Sequence, residues 1–252
     1  MNNPMELTDR VTMVTRDSSG IGRATSVLRS QLGARVILVG RNQARLSETF
    51  GLLDGTQHSI EAFDLNDPED LLAWMDSLAQ RNGMISGLAH CAGAQLICPL
   101  KKLKTHHIEE ILRINLVSSL MLAKSFRQKG VNAGGGSVAF VSSTLGKVGA
   151  LLTSAYCASK SALHSLTKAL ALELARDNIR VNCVAPGFVQ TEMLEEVQSL
   201  VGEKRIDEQL KRYPLGFCDP RDVACALTFL LADTGRWITG SILTLDGGFT
   251  PQ

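Results

Sequence analysis

The chain has 252 residues, 44% of them hydrophobic and 20% charged, with a formal net charge of +1. That length supports one sizeable α/β core, and no basic block or aromatic–basic stripe points to nucleic acid. No run of about 18 apolar residues occurs, and residues 1–10 lack an apolar core, so neither a membrane span nor a signal peptide is expected.

Apolar runs alternate with segments of helical period. Residues 10–15 read as a strand and 20–31 as a helix. A second strand covers 35–39 and a helix 42–50. A third strand covers 59–63, and a helix over 67–80 opens at Asp67-Pro68. The fourth strand is 86–90, followed by a long helix over 105–128. Three glycines at a turn precede a fifth strand over 136–141. A second long helix spans 154–176, a sixth strand 179–184, a helix 219–231 and a last strand 241–245. Short, nearly continuous apolar strands in β/α alternation predict a doubly wound, Rossmann-type parallel α/β sheet of about seven strands, with helices on both faces. No linker or composition break appears, so residues 1–252 are expected to form one domain. The polar segment 187–215 follows a strand end, where ligands of open α/β sheets bind, and is a candidate substrate lid.

Cys91, Cys98, Cys157, Cys183, Cys218 and Cys225 include no Cys-x-x-Cys pair and no zinc spacing. Buried free thiols, a reducing cytoplasm and no metal are the expectations.

Tyr156 and Lys160 are four residues apart in Ser-Ala-Tyr-Cys-Ala-Ser-Lys, so a helix would set phenol and ammonium on one face. Ser143 lies thirteen residues upstream. A nearby ammonium is expected to lower the phenol's pKa from about 10 toward neutrality. Such a tyrosine could protonate a carbonyl oxygen or deprotonate an alcohol, with the serine hydroxyl holding the same oxygen. The plainer alternative is a helix with one surface lysine and one packed tyrosine.

Thr15-Arg16-Asp17-Ser18-Ser19-Gly20-Ile21-Gly22 joins the first strand to the first helix, where glycines let a pyrophosphate approach backbone. The second strand ends at Val39-Gly40-Arg41-Asn42 with no acid to hold a ribose diol. Arg41 instead offers a fork suited to a 2′-phosphate, so NADP(H) is favoured over NAD(H).

These pieces resemble the short-chain dehydrogenase/reductase family nearly end to end. They occur in family order: Thr15 with Gly20-Ile21-Gly22, Asp64-Leu65, Ala92-Gly93, Asn115, Ser143, Tyr156 with Lys160, and Pro186-Gly187 followed by Thr191. The chain is most similar to the 3-oxoacyl-(acyl-carrier-protein) reductase type. The resemblance implies that Tyr156 donates the proton, that Lys160 tunes it and binds the nicotinamide ribose, and that Ser143 orients the carbonyl. It implies that Asn115 holds a water of the proton relay. Ser18 and Ser19 would join the glycine loop, Asp64 and Leu65 would meet the adenine, and Val189 and Thr191 the carboxamide. It further implies a small carbonyl or alcohol substrate, free or linked to acyl-carrier protein or CoA, and a homotetramer. The long helices would form one contact and the C-terminal strand region the other.

Two positions depart from the family pattern. Arg16 stands where glycine is usual, and Cys91, after His90, where asparagine is usual. Both touch the cofactor region, which motivates the alternative of a non-catalytic dinucleotide-binding or regulatory homologue. His90 is expected to be a strand-end histidine with a backbone partner.

Overall fold

This computed structural model describes residues 5–66 and 70–250. Seven parallel strands form one sheet in the order β3-β2-β1-β4-β5-β6-β7. They are β1 (Val11–Thr15), β2 (Arg35–Gly40), β3 (Ser59–Ala62), β4 (Ile85–His90), β5 (Asn132–Val141), β6 (Ile179–Pro186) and β7 (Ile242–Leu245). The order reverses between β1 and β4, which opens a crevice at their carboxyl ends.

Side-chain alternation along the strands divides the core in two. Met13 of β1 with Ile37 and Val39 of β2 face one layer, with Leu71, Leu122, Leu163 and Leu170. Val14, Val36 and Leu38 face the other, with Leu46, Val223 and Leu227. Each face is therefore covered by helices, as the apolar strands require.

The helices are α1 (Gly20–Gln31), α2 (Gln43–Phe50), α3 (Leu71–Asn82), α4 (Thr105–Leu112), α5 (Ser118–Phe126), α6 (Ser154–Leu174), α7 (Glu192–Val201), α8 (Glu203–Leu210) and α9 (Pro220–Leu231). Capping fixes several starts. Asn42 accepts the Arg45 N–H at 3.1 Å, and Asp219 accepts the Arg221 N–H at 2.7 Å with Pro220 in the first turn. The Asp67-Pro68 opening expected for α3 lies outside the described residues. The helix expected over 105–128 contains a π-helical turn at Arg113–Val117 and ends at Phe126.

β5 begins earlier than expected. The three glycines lie within the strand, with Gly134 and Gly135 at φ 77° and 159°. The ladder with β4 shifts between Ile85 and Gly87, so these glycines absorb an irregularity in the ladder and do not form a preceding turn. Among the described residues, no helix is long and apolar enough to cross a membrane, and no group of three or more His, Cys, Asp or Glu could hold a metal ion.

Candidate active site

The turn from β1 into α1 is tight. A Cβ on Gly22 would overlap the Arg16 carbonyl oxygen, so only glycine fits this crossing. Gly20 adopts φ 50° and Arg16 φ 54°. Arg16 thus occupies a left-handed conformation that costs an L-residue about 1–2 kcal/mol relative to glycine. Its guanidinium donates to the Gly93 carbonyl beyond β4, bridging the crevice. Burial lowers the Arg16 pKa, opposed by the charges of Glu196 and Glu192 on α7, while Arg41 lowers it further.

Thr15 is an internal brace. Its Oγ1 accepts the N–H groups of Cys91 and Ala92, both at 3.1 Å. With its acceptor sites filled, its hydroxyl donates to His90 Nδ1 at 2.9 Å. His90 therefore carries its proton on Nε2, facing Ser118 Oγ at 3.3 Å, and Ser118 donates onward to the Ile114 carbonyl at 2.6 Å. The partners of His90 are hydroxyls and not the backbone expected from sequence. Burial first, then the Lys160 charge, lowers its pKa to about 3, so it stays neutral.

Asn115 sits in the π-helical turn and is 1% exposed. Its Oδ1 accepts the Ala94 N–H at 2.8 Å, and its Nδ2 donates to the Ala94 carbonyl at 3.0 Å and to Ser159 Oγ at 2.9 Å. Asn115 thereby fixes the turn after β4 against α6. A Cβ on Gly93 would lie 3.2 Å from Lys160 Nζ and 3.3 Å from Asn115 Oδ1.

Helix α6 brings Tyr156 and Lys160 onto one face, with Nζ 5.8 Å from the phenol ring centroid. Lys160 Nζ donates to the Val141 carbonyl at the end of β5, at 3.0 Å. Ser143, just beyond β5, accepts the Leu145 N–H at 3.1 Å and hydrogen-bonds the Tyr156 phenol. The expected lowering of the tyrosine pKa does not appear. Burial pushes it up to about 12, outweighing the Ser143 hydrogen bond and the Arg16 charge. Lys160 Nζ is directed to Val141, and its own pKa is lowered to about 8, chiefly by burial.

A cavity of about 450 Å³ joins these parts. Its lining includes Arg16, Ser19, Gly20, Ile21, Gly22, Cys91, Gly93, Ser143, Tyr156, Lys160, Pro186, Gly187, Val189 and Thr191 from the sequence expectation. Thr15, Ser18, Arg41, Asp64, Leu65, Ala92 and Asn115 lie outside that lining. Thr15 and Asn115 act as supports, Arg41 and Asp64 are exposed, and Leu65 is packed into the core. Arg41 follows β2 with its charge felt at Arg16.

The sequence reading missed much of the cavity wall. Leu145 and Leu151 contribute from the segment between Ser143 and α6, and Met193, Val197 and Ile206 from α7 and α8. Tyr213 and Phe249 also line it, stacked with centroids 4.8 Å apart. Val-Gly-Ala-Leu-Leu at 148–152 was the available signal, an apolar run in a loop. The 187–215 segment folds as the helix pair α7–α8 along the cavity. All six cysteines are free, but only Cys91 and Cys183 are buried, against the expectation for most of them.

The site fits a dinucleotide by shape. Gly22 lets the β1–α1 turn close tightly so that the α1 N-terminus borders the cavity, Lys160 lies beside Gly93, and no acid ends β2. The Arg16 side chain crosses the groove to Gly93, and a long, flexible side chain of this kind can change rotamer to leave it.

The family described as enoyl-(acyl carrier protein) reductase matches residues 16–250. A 3-oxoacyl-[acyl-carrier-protein] reductase from Thermotoga maritima is 32% identical over 97% of this chain and 99% of its own length. The Homo sapiens protein of that name is 35% identical over 95% of this chain and 98% of its own. A solved structure described as an NAD(P)-dependent gluconate 5-dehydrogenase from Beutenbergia cavernae, with NADP bound at low occupancy, has a TM-score of 0.90 at 29% identity. It covers 99% of this chain and 100% of that one. A chain from Sinorhizobium meliloti 1021 described as a short-chain alcohol dehydrogenase reaches a TM-score of 0.92 at 29% identity, with the same coverage.

Proposed function

The chain belongs to the short-chain dehydrogenase/reductase family, whose members are carbonyl and alcohol oxidoreductases that bind a nicotinamide dinucleotide, and we propose that it is an NADP(H)-dependent ketone reductase with Tyr156 as acid and base. The observation that carries this reading is that Ser143, Tyr156 and Lys160 line the same cavity as the glycine turn.

In reduction, Ser143 Oγ–H and Tyr156 Oη–H would both donate to the substrate carbonyl oxygen, orienting and polarising it. A bound nicotinamide would supply the hydride to the carbonyl carbon. Tyr156 would release its proton to the oxygen as the charge develops there. Lys160, held by the Val141 carbonyl, would then face the phenolate and stabilise it. Asn115 would keep the Gly93 turn against Lys160 and support a relay that returns a proton to the phenolate. The remaining cofactor contacts would follow the sequence reading. Arg41 would hold a 2′-phosphate, Asp64 and Leu65 would meet the adenine, and Val189 and Thr191 the carboxamide. The apolar wall of the cavity favours a ketone with a hydrophobic body, such as a 3-oxoacyl thioester on CoA or acyl-carrier protein. The 187–215 helix pair would act as its lid, and the working form would be a homotetramer.

One observation favours a second reading. The Arg16–Gly93 bridge spans the groove that the dinucleotide needs, as a non-catalytic homologue could tolerate.

Titration of the protein with NADPH and NADH, for wild type and Arg41→Ala, separates the readings. We expect wild type to prefer NADPH, and Arg41→Ala to weaken NADPH about tenfold while sparing NADH, because a charge-assisted contact is lost. Binding of neither cofactor would sink the enzymatic reading. Tyr156→Phe should lower turnover of a 3-oxoacyl thioester by about 10²–10⁴-fold and leave NADPH affinity unchanged.

A further inference from the structure

We infer that Arg16 is the cation for the dinucleotide's pyrophosphate, held ready across the groove by Gly93 until the phosphates displace it. This rests on the proposed dinucleotide site and assigns the arginine a task that glycine cannot perform.

Four observations converge. Arg16 holds a left-handed backbone at φ 54°, which aims its side chain across the crevice and away from the β1–α1 turn. The guanidinium is half-buried, and the contact that spans the crevice is to a neutral carbonyl. A half-buried guanidinium bonded to an uncharged acceptor gains a charge-assisted bond when an anion replaces that acceptor. It lines the same cavity as Ser19, Gly20, Ile21 and Gly22, where the α1 N-terminus presents its first N–H groups. Glu192 and Glu196 of α7 and the cation of Arg41 also bear on it. Arg16 therefore lies among the first turn, the end of β2 and the first turns of the helix that flanks the cavity. Exchanging the Gly93 carbonyl for pyrophosphate oxygens would keep the guanidinium bonded, and the side chain that spans the groove would become part of its wall.

The pyrophosphate is common to both cofactors, whereas the 2′-phosphate belongs to one. That difference separates Arg16 from Arg41. The probes are NADPH, NADH, ADP-ribose, which has the pyrophosphate but no nicotinamide, and adenosine 2′-phosphate, which has no pyrophosphate. The variants are Arg16→Gly, which suits the positive φ, and Arg16→Met, which keeps side-chain length and backbone strain without charge.

Both variants should weaken NADPH, NADH and ADP-ribose in parallel, by about tenfold each, and leave adenosine 2′-phosphate unaffected. Thermal melts without ligand identify either variant that fails to fold, and the other then carries the test. Loss confined to NADPH and adenosine 2′-phosphate would overturn the assignment, because Arg16 would then read the 2′-phosphate. Unchanged or tighter binding in both variants would also overturn it and make the arginine an obstruction. The Arg41 result is independent: if Arg41→Ala leaves NADPH preference intact, Arg41 does not hold the 2′-phosphate, while the pyrophosphate assignment can still hold.

Discussion

Tyr156 holds its proton firmly in the free protein, with burial raising its pKa to about 12, while burial lowers that of Lys160 to about 8. The phenol is therefore the acid form over the neutral range, and the titration that matters near pH 8 belongs to the ammonium. Below about pH 8 Lys160 is charged and can stabilise a phenolate; above it that support is lost. We expect kcat/KM for ketone reduction to fall as pH rises through about 8, measured with saturating NADPH, and a flat profile would remove Lys160 from the mechanism. His90 gives a second prediction. Its folded pKa near 3 lies below the ordinary value of 6.5, so the unfolded chain binds more protons between those limits. Stability is full above pH 6.5 and declines as pH falls toward 3, and His164, lowered to about 4, acts in the same direction. His90→Asn keeps an acceptor near the Nδ1 position for Thr15 and removes the titrating ring, so it should flatten the decline of urea midpoints between pH 6.5 and 4.

Among the elements, the β1–α1 turn is the least forgiving. Gly22→Ala would drive a methyl into the Arg16 carbonyl, so the turn must open and displace both Arg16 and the α1 N-terminus. We expect a loss of about 1–3 kcal/mol in unfolding free energy and at least about tenfold weaker NADPH binding, read by denaturation and fluorescence. This turn, the strands and the Tyr156–Lys160 spacing were legible in the sequence, because each depends on residues close together in the chain. The β5 irregularity was not. Gly134–Gly136 resemble a turn until the β4 partner, some fifty residues away, draws them into a ladder. The π-helical turn at Asn115 was also hidden. It is tied down by Ala94 and Ser159, which lie 21 and 44 residues distant. The tyrosine pKa failed for a similar reason: spacing gives proximity to Lys160, but not burial or where Nζ points.

At the scale of the molecule, two of the regions with exposed large apolar side chains bear on assembly. Leu172 on α6, Trp237 before β7 and Leu243 within it are 83%, 95% and 38% exposed, and Ile108, Val117 and Leu120 are 38–41% exposed on α4 and α5 and the π-helical turn between them. Patches of this kind are ordinarily covered by a partner. We propose that these regions take part in the tetramer that family resemblance implies. Sedimentation should give a tetramer for wild type, and Trp237→Glu should reduce it to dimers; a wild-type monomer at micromolar concentration would sink the assembly.

The chemistry and the selectivity of this site are built from different material. Ser143, Tyr156 and Lys160 are at most 8% exposed and are fixed by the sheet and α6. The wall that would face a substrate's body comes from the 145–152 loop, the α7–α8 pair and the aromatic stack of Tyr213 on Phe249. Those segments lie outside the strands and α6, and can exchange side chains without moving Tyr156, the proposed proton donor. Substrate range in this protein is therefore free to drift while the reaction stays constant. A library confined to Leu145, Leu151, Met193, Val197 and Ile206 is the place to redirect it.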